Sequence, residues 1–135
     1  MASNTNRNKI NKPSSSERKI MEFLWNEKDG LSFSEITSLL NQDNNKVLVK
    51  QTINTFLTRM IAKNLITKKT GDTRFKTRYY SKYTKEEYNR KVCEDILHKE
   101  YGDSFLEFVK QLSGGEYLSK EDAQKILEIL EKRNN

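Results

Sequence analysis

Between Val49 and Asn64 the apolar residues Ile53, Phe56, Leu57, Met60 and Ile61 recur at i, i+3, i+4, i+7 and i+8. At about 100° per residue they share one face, which predicts an amphipathic helix that must pack against other elements. The opposite face holds Gln51, Thr52, Thr55, Thr58, Arg59 and Ala62, and it contains no acid. An ordinary solvated helix face is rich in Glu and Lys. Short donors and acceptors beside one long cation suit close approach to base edges and phosphates.

The flanking segments fix what this helix belongs to. Ser14 and Glu17 form a capping-box pattern, followed at helical spacing by Ile20, Met21, Phe23 and Leu24 with Trp25 alongside. A first helix is expected from there to about Glu27, stopping at Asp29-Gly30. Ser32 and Glu35 repeat the pattern before Ile36, Leu39 and Leu40, which predicts a short second helix ending near Asn41 and a polar loop over Gln42 to Lys46. Past the third helix, Leu65–Thr70 and Arg74–Tyr80 are rich in strand-favouring residues and surround the turn Gly71-Asp72-Thr73. This predicts a two-stranded hairpin with a basic rim. Phe75, Tyr79 and Tyr80 are expected to pack it against the helices, with stacking on unpaired bases as the alternative. Three helices and then a hairpin is the order of a winged helix-turn-helix, in which the third helix enters the major groove and the hairpin is the wing.

Charge supports that placement. The chain has 135 residues and a net charge of +6. Residues 46–85 carry eleven Lys and Arg against the single acid Asp72, a local charge of +10. The neighbouring blocks, 14–45 and 86–135, stand at −3 and −4, and residues 1–13 at +3. A basic block set between acidic ones resembles a footprint for a polyanion. Within it Lys50, Arg59, Lys68, Lys69, Arg74, Lys76 and Arg78 are the candidates for holding phosphates.

From Thr84, which begins another capping pattern with Glu87, the chain turns helical again. Tyr88, Val92, Cys93, Ile96 and Leu97 make an apolar stripe, with Cys93 read as a small core residue. Tyr101-Gly102-Asp103 breaks this helix. A fifth carries Phe105, Leu106, Phe108, Val109 and Leu112 up to Gly114-Gly115, and a sixth opens at Ser119 and Asp122 with Ala123, Ile126, Leu127, Ile129 and Leu130. An apolar fraction of 34% is low for a monomer of this size. These faces are therefore expected to form a homodimer interface through Val92, Ile96, Phe105, Phe108, Val109, Leu112, Ile126, Leu127 and Leu130. The expected organisation is a flexible basic tail over 1–13, a winged-helix domain over 14–83 and a helical dimerisation domain over 84–135. The fold class is mainly α with a small β-hairpin.

Other classes fall away. The longest apolar runs have three residues, as in Phe23-Leu24-Trp25, whereas a membrane helix needs about 20. The polar N-terminus lacks a signal-peptide apolar region, and a single cysteine permits no intrachain disulfide, so a cytoplasmic location is expected. Cys93 and His98 sit five residues apart and point about 140° apart on a helix, which does not make a nucleophile and its base. No phosphate-cradling glycine loop or metal-carboxylate cluster is visible. Neither an enzyme nor a bound cofactor or metal is expected.

At this point the chain resembles the BlaI/MecI/CopY penicillinase-repressor family of bacterial transcription regulators. The resemblance is carried by Ser-x-x-Glu leading into Ile20-Met21-Glu22-Phe23-Leu24-Trp25, by Lys50-Gln51-Thr52-Ile53-Asn54-Thr55-Phe56-Leu57-Thr58-Arg59-Met60 with Lys63-Asn64-Leu65-Ile66, and by Leu118-Ser119-Lys120-Glu121-Asp122. It covers roughly residues 14–133. It implies a winged-helix repressor with a C-terminal helical dimerisation arm, acting as a homodimer on inverted-repeat operators. Its base- and phosphate-contacting positions fall on Gln51, Thr52, Asn54, Thr55 and Arg59. In the penicillinase branch it implies control of β-lactam resistance, with a membrane-bound sensor that triggers cleavage at an Asn-Phe bond. The family register puts that bond near Gln111-Leu112, and this chain has no Asn-Phe pair. The copper branch carries a Cys-x-Cys motif, which is absent here.

The expected partner is double-stranded operator DNA, read by Gln51, Asn54, Thr52 and Thr55, with a weak lean to A·T-rich half-sites. The alternative is an RNA-binding or protein-interaction winged helix without operator specificity.

Overall fold

A computed structural model of the chain describes residues 10–43, 47–71 and 77–134. Among the described residues the elements run α1 (Ser15–Trp25), α2 (Phe33–Asp43), α3 (Lys50–Ala62), β1 (Ile66–Lys69), β2 (Arg78–Ser81), α4 (Lys85–Tyr101), α5 (Phe105–Ser113) and α6 (Lys120–Asn134). The chain is mostly helical with one antiparallel hairpin, consistent with a winged helix. It divides into two compact units, residues 10–92 and residues 93–134.

The first unit is closed by side chains from every element. Ile20, Met21 and Leu24 of α1, Ile36 and Leu40 of α2, and Ile53, Leu57 and Met60 of α3 are buried together with Leu65, Ile66 and Tyr79. Each such side chain contributes roughly 1.5–3 kcal/mol of burial. The helix starts follow their capping residues. Ser14 Oγ accepts the Glu17 N–H while Glu17 Oε1 accepts the Ser14 N–H. The Ser32–Glu35 and Thr84–Glu87 pairs do the same.

The hairpin pairs Ile66 with Ser81, Thr67 with Tyr80, Lys68 with Tyr79 and Lys69 with Arg78. β2 starts later than the predicted strand at Arg74, and residues 72–76 lie outside the described part. On its other edge Leu31 bridges to Tyr79 through two backbone hydrogen bonds of 2.8 and 3.0 Å. This short third strand is possible because Gly30 takes a left-handed φ of +73°. A Cβ there would stand 2.7 Å from the Tyr79 carbonyl oxygen.

Three features differ from the sequence expectation. Ile61 is 39% exposed, because Ile53, Leu57 and Met60 form the buried line of α3 and Ile61 lies at its margin. Cys93 is exposed rather than in the core: Tyr88 is buried and Val92 packs on the core, and Cys93 is rotated one residue past them. Residues 10–13, expected in the tail, belong to the fold. Ile10 is a buried core residue, Asn11 Nδ2 donates to the Lys63 carbonyl, and Lys63 Nζ donates to the Lys12 carbonyl.

The first two turns of α4 pack with the winged helix. Trp25 Nε1 donates to the Tyr83 carbonyl at 3.0 Å, the Trp25 and Tyr88 rings lie 5.2 Å apart, and the Arg18 guanidinium sits over both. In the second unit Gly102 and Asp103 have positive φ and turn the chain at the end of α4. Ser104 caps α5 by accepting the Glu107 N–H, and α5 contains no buried residue.

Candidate nucleic-acid interface

The presentation of α3 is set from both ends. Upstream, Asn41 Oδ1 accepts the Leu48 N–H at 2.9 Å and ties the end of α2 to the start of α3. The N-cap, Val49, is extended and supplies no side-chain cap, and the first turn carries no acid. Downstream, Lys63 Nζ meets the buried Glu17 carboxylate at 2.6 Å. Burial works to raise the Glu17 pKa, but the Lys63 ammonium and the Ser14 N–H hold it below the ordinary glutamate value.

With Ile53, Leu57 and Met60 inward, Lys50, Gln51, Asn54, Thr55, Thr58 and Arg59 are exposed and Thr52 is half-buried. Lys50 and Arg59 form no ion pair among the described residues. The hydroxyl protons of two threonines are already used: Thr55 Oγ1 donates to the Gln51 carbonyl at 2.9 Å, and Thr58 Oγ1 donates to the Asn54 carbonyl at 2.8 Å. Their outward chemistry is therefore a methyl group and oxygen lone pairs. Such a surface fits thymine methyls and the exocyclic amino groups of adenine or cytosine.

The cations of the basic block separate into two groups. Lys68 and Lys69 of β1 are exposed, with Lys69 Nζ 5.1 Å from the Tyr80 ring centre. Lys63, Lys82 and Lys85 have intramolecular partners in Glu17, Asn64 and Glu22. Arg78 is also engaged, donating to the Asp29 and Gly30 carbonyls at 2.8 and 3.0 Å and standing 3.3 Å from Glu35. Arg74 and Lys76 lie outside the described residues, as does Phe75. Tyr79 is in the core, and its burial raises its pKa. The engagement of Arg78 and of the threonine hydroxyls was not visible in the sequence, since each depends on where backbone carbonyls fall in space.

The residues read as a dimer face lie in α4, α5 and α6. Val92 packs on the winged-helix core. Ile96, Phe105, Leu127 and Leu130 are exposed, and Phe108, Val109, Leu112 and Ile126 are half-buried. Ile96 and Leu97 with Phe105 and Phe108 line one apolar cleft. Phe105 and Val109 with Ile126, Leu127 and Leu130 line another. Gln111 and Leu112 lie within α5 near its C-terminal end. Among the described residues no group of His, Cys, Asp and Glu could hold a metal ion, and no helix is long and apolar enough to cross a membrane.

The family model for the penicillinase repressor matches residues 13–132, nearly the whole chain. No curated protein matches the sequence. With the hairpin, the three preceding helices and the outward polar face of α3 in place, this match assigns the chain to the penicillinase repressor family of DNA-binding transcriptional regulators.

Proposed function

We propose that the protein represses transcription in the cytoplasm as a homodimer bound to an inverted-repeat operator. The observation that carries this reading is the acid-free face of α3, on which Lys50, Gln51, Asn54, Thr55 and Arg59 are exposed. Gln51 and Asn54 match adenine edges, and Thr55 with Thr52 meets methyls and amino groups. Lys50, Arg59, Lys68 and Lys69 hold phosphates, joined by Arg74 and Lys76.

The second copy covers the apolar faces of the C-terminal helices. Ile96, Phe105, Phe108, Val109, Leu112, Ile126, Leu127 and Leu130 supply a self-complementary surface, and two-fold symmetry sets two recognition helices on successive half-sites. Family membership supports β-lactam resistance genes as targets and a membrane-bound sensor protease as the inducing partner. Cleavage at Gln111-Leu112 would sever α6 from α5 and divide that surface.

Selection of bound sites from random duplexes tests the proposal. A palindrome with fixed half-site spacing is the expected outcome. A single short asymmetric site overturns the dimer, and binding confined to single-stranded RNA overturns the DNA reading.

A further inference from the structure

Arg78 belongs to the basic rim of the wing, yet its guanidinium is turned toward its own fold. Nε donates to the Asp29 carbonyl at 2.8 Å, and Nη2 donates to the Gly30 carbonyl at 3.0 Å. Nη2 also stands 3.3 Å from Glu35 Oε1. Two of the five N–H donors of an arginine are thus spent on backbone carbonyls, with the Glu35 carboxylate beside them, along the edge that would otherwise grip a phosphate bidentately. The groups held are not incidental. Gly30 is the left-handed residue against which the Tyr79 carbonyl packs, Leu31 bridges to Tyr79, and Glu35 closes the capping box that starts α2. α2 in turn holds the start of α3 through Asn41 and Leu48.

We propose that Arg78 is a positioning residue that locks the wing to the start of the helix-turn-helix, and that operator preference depends on this lock rather than on a phosphate contact from Arg78. The proposal rests on the DNA-binding reading above. Two directed bonds from one planar fork to neighbouring carbonyls are not reproduced by the single ammonium of lysine. A phosphate contact, by contrast, tolerates lysine and contributes about one unit to the salt slope of binding.

Arg78→Lys and Arg78→Gln are compared with the unaltered protein on the duplex recovered by selection and on a random duplex of equal length, over a range of salt. Both variants are expected to lose about tenfold in preference for the selected duplex, with the salt slope on random DNA unchanged. Amide exchange at Leu31 and Tyr79 should quicken in both variants, a readout that needs no DNA. Normal behaviour of Arg78→Lys, with a slope lowered by about one in Arg78→Gln, makes Arg78 a phosphate ligand and overturns the proposal. Unchanged exchange at Leu31 and Tyr79 overturns it as well. Should Arg78→Gln fail to fold, Glu35→Gln keeps a capping acceptor and removes only the charge facing Arg78. A loss of preference at constant slope, with quicker exchange at Leu31 and Tyr79, then supports the lock, and unchanged preference with unchanged exchange refutes it. Absence of salt-dependent DNA binding in the unaltered protein is a separate failure, that of the DNA reading itself.

Discussion

The two units of the chain solve the burial problem in opposite ways. Among the described residues, every buried apolar side chain lies between Ile10 and Tyr88. Past Cys93 no described apolar residue is buried, and several large ones are open to solvent, with Phe105 49%, Leu106 64% and Ile129 64% exposed. The winged helix closes a core from its own elements. The C-terminal helices pack partly on one another, yet keep wide apolar faces open, the faces that the proposed second copy would cover. Stability of the first unit should therefore be a property of one chain and, in the proposed dimer, stability of the second a property of protein concentration.

That contrast can be broken by substitution. Leu57→Ala in the closed core should lower winged-helix stability by about 4 kcal/mol, read as a denaturation midpoint shift. Lys63→Met should remove about 3 kcal/mol by leaving the Glu17 carboxylate buried without its partner. The pH dependence has a defined sign. Because the Glu17 pKa is lowered on folding, its contribution is present above the ordinary carboxylate range and is lost as pH falls through the folded value. Glu17→Gln should flatten this acid limb, and an unchanged limb would assign acid lability to other carboxylates. Thr55→Arg should reduce preference for the selected operator by about tenfold or more while random-DNA affinity persists. Equal loss on both duplexes would deny this face a reading role. Lys68→Ala should weaken all duplexes alike and lower the salt slope by about one unit. Smallest in its effect on the winged helix, Phe105→Ser combined with Leu130→Ser should shift its melting by no more than about 0.5 kcal/mol. The same pair should convert the proposed dimer to monomer in sedimentation, and a monomer already in the unaltered protein would deny the dimer. A large loss of winged-helix stability there would erase the contrast between the units.

What the sequence disclosed was local. The capping boxes at Ser14, Ser32 and Thr84 and the apolar line of α3 each span a few residues, and the hydrogen bonds follow from that spacing. Ser104 with Glu107 has the same spacing but was overshadowed by the Tyr101-Gly102-Asp103 break beside it. The features that escaped join distant segments. Glu17 meets Lys63 across 46 positions, and Arg78 reaches Asp29 across 49. Leu31 pairs with Tyr79 as a single residue, too short for any alternation to announce a strand. The exposed polar face of α3 was legible from periodicity, but the inward turn of the Thr55 and Thr58 hydroxyls was not, since it depends on rotamer choice in the formed helix.

The docking of Ile10, Asn11 and Lys12 changes where the smallest independent piece of this molecule begins. A version trimmed back to the Ser14 cap would keep all three helices and the hairpin. It would nonetheless leave a gap in the apolar core in place of Ile10, and leave Lys63 with one acceptor fewer, at the C-terminal end of the helix proposed to meet DNA.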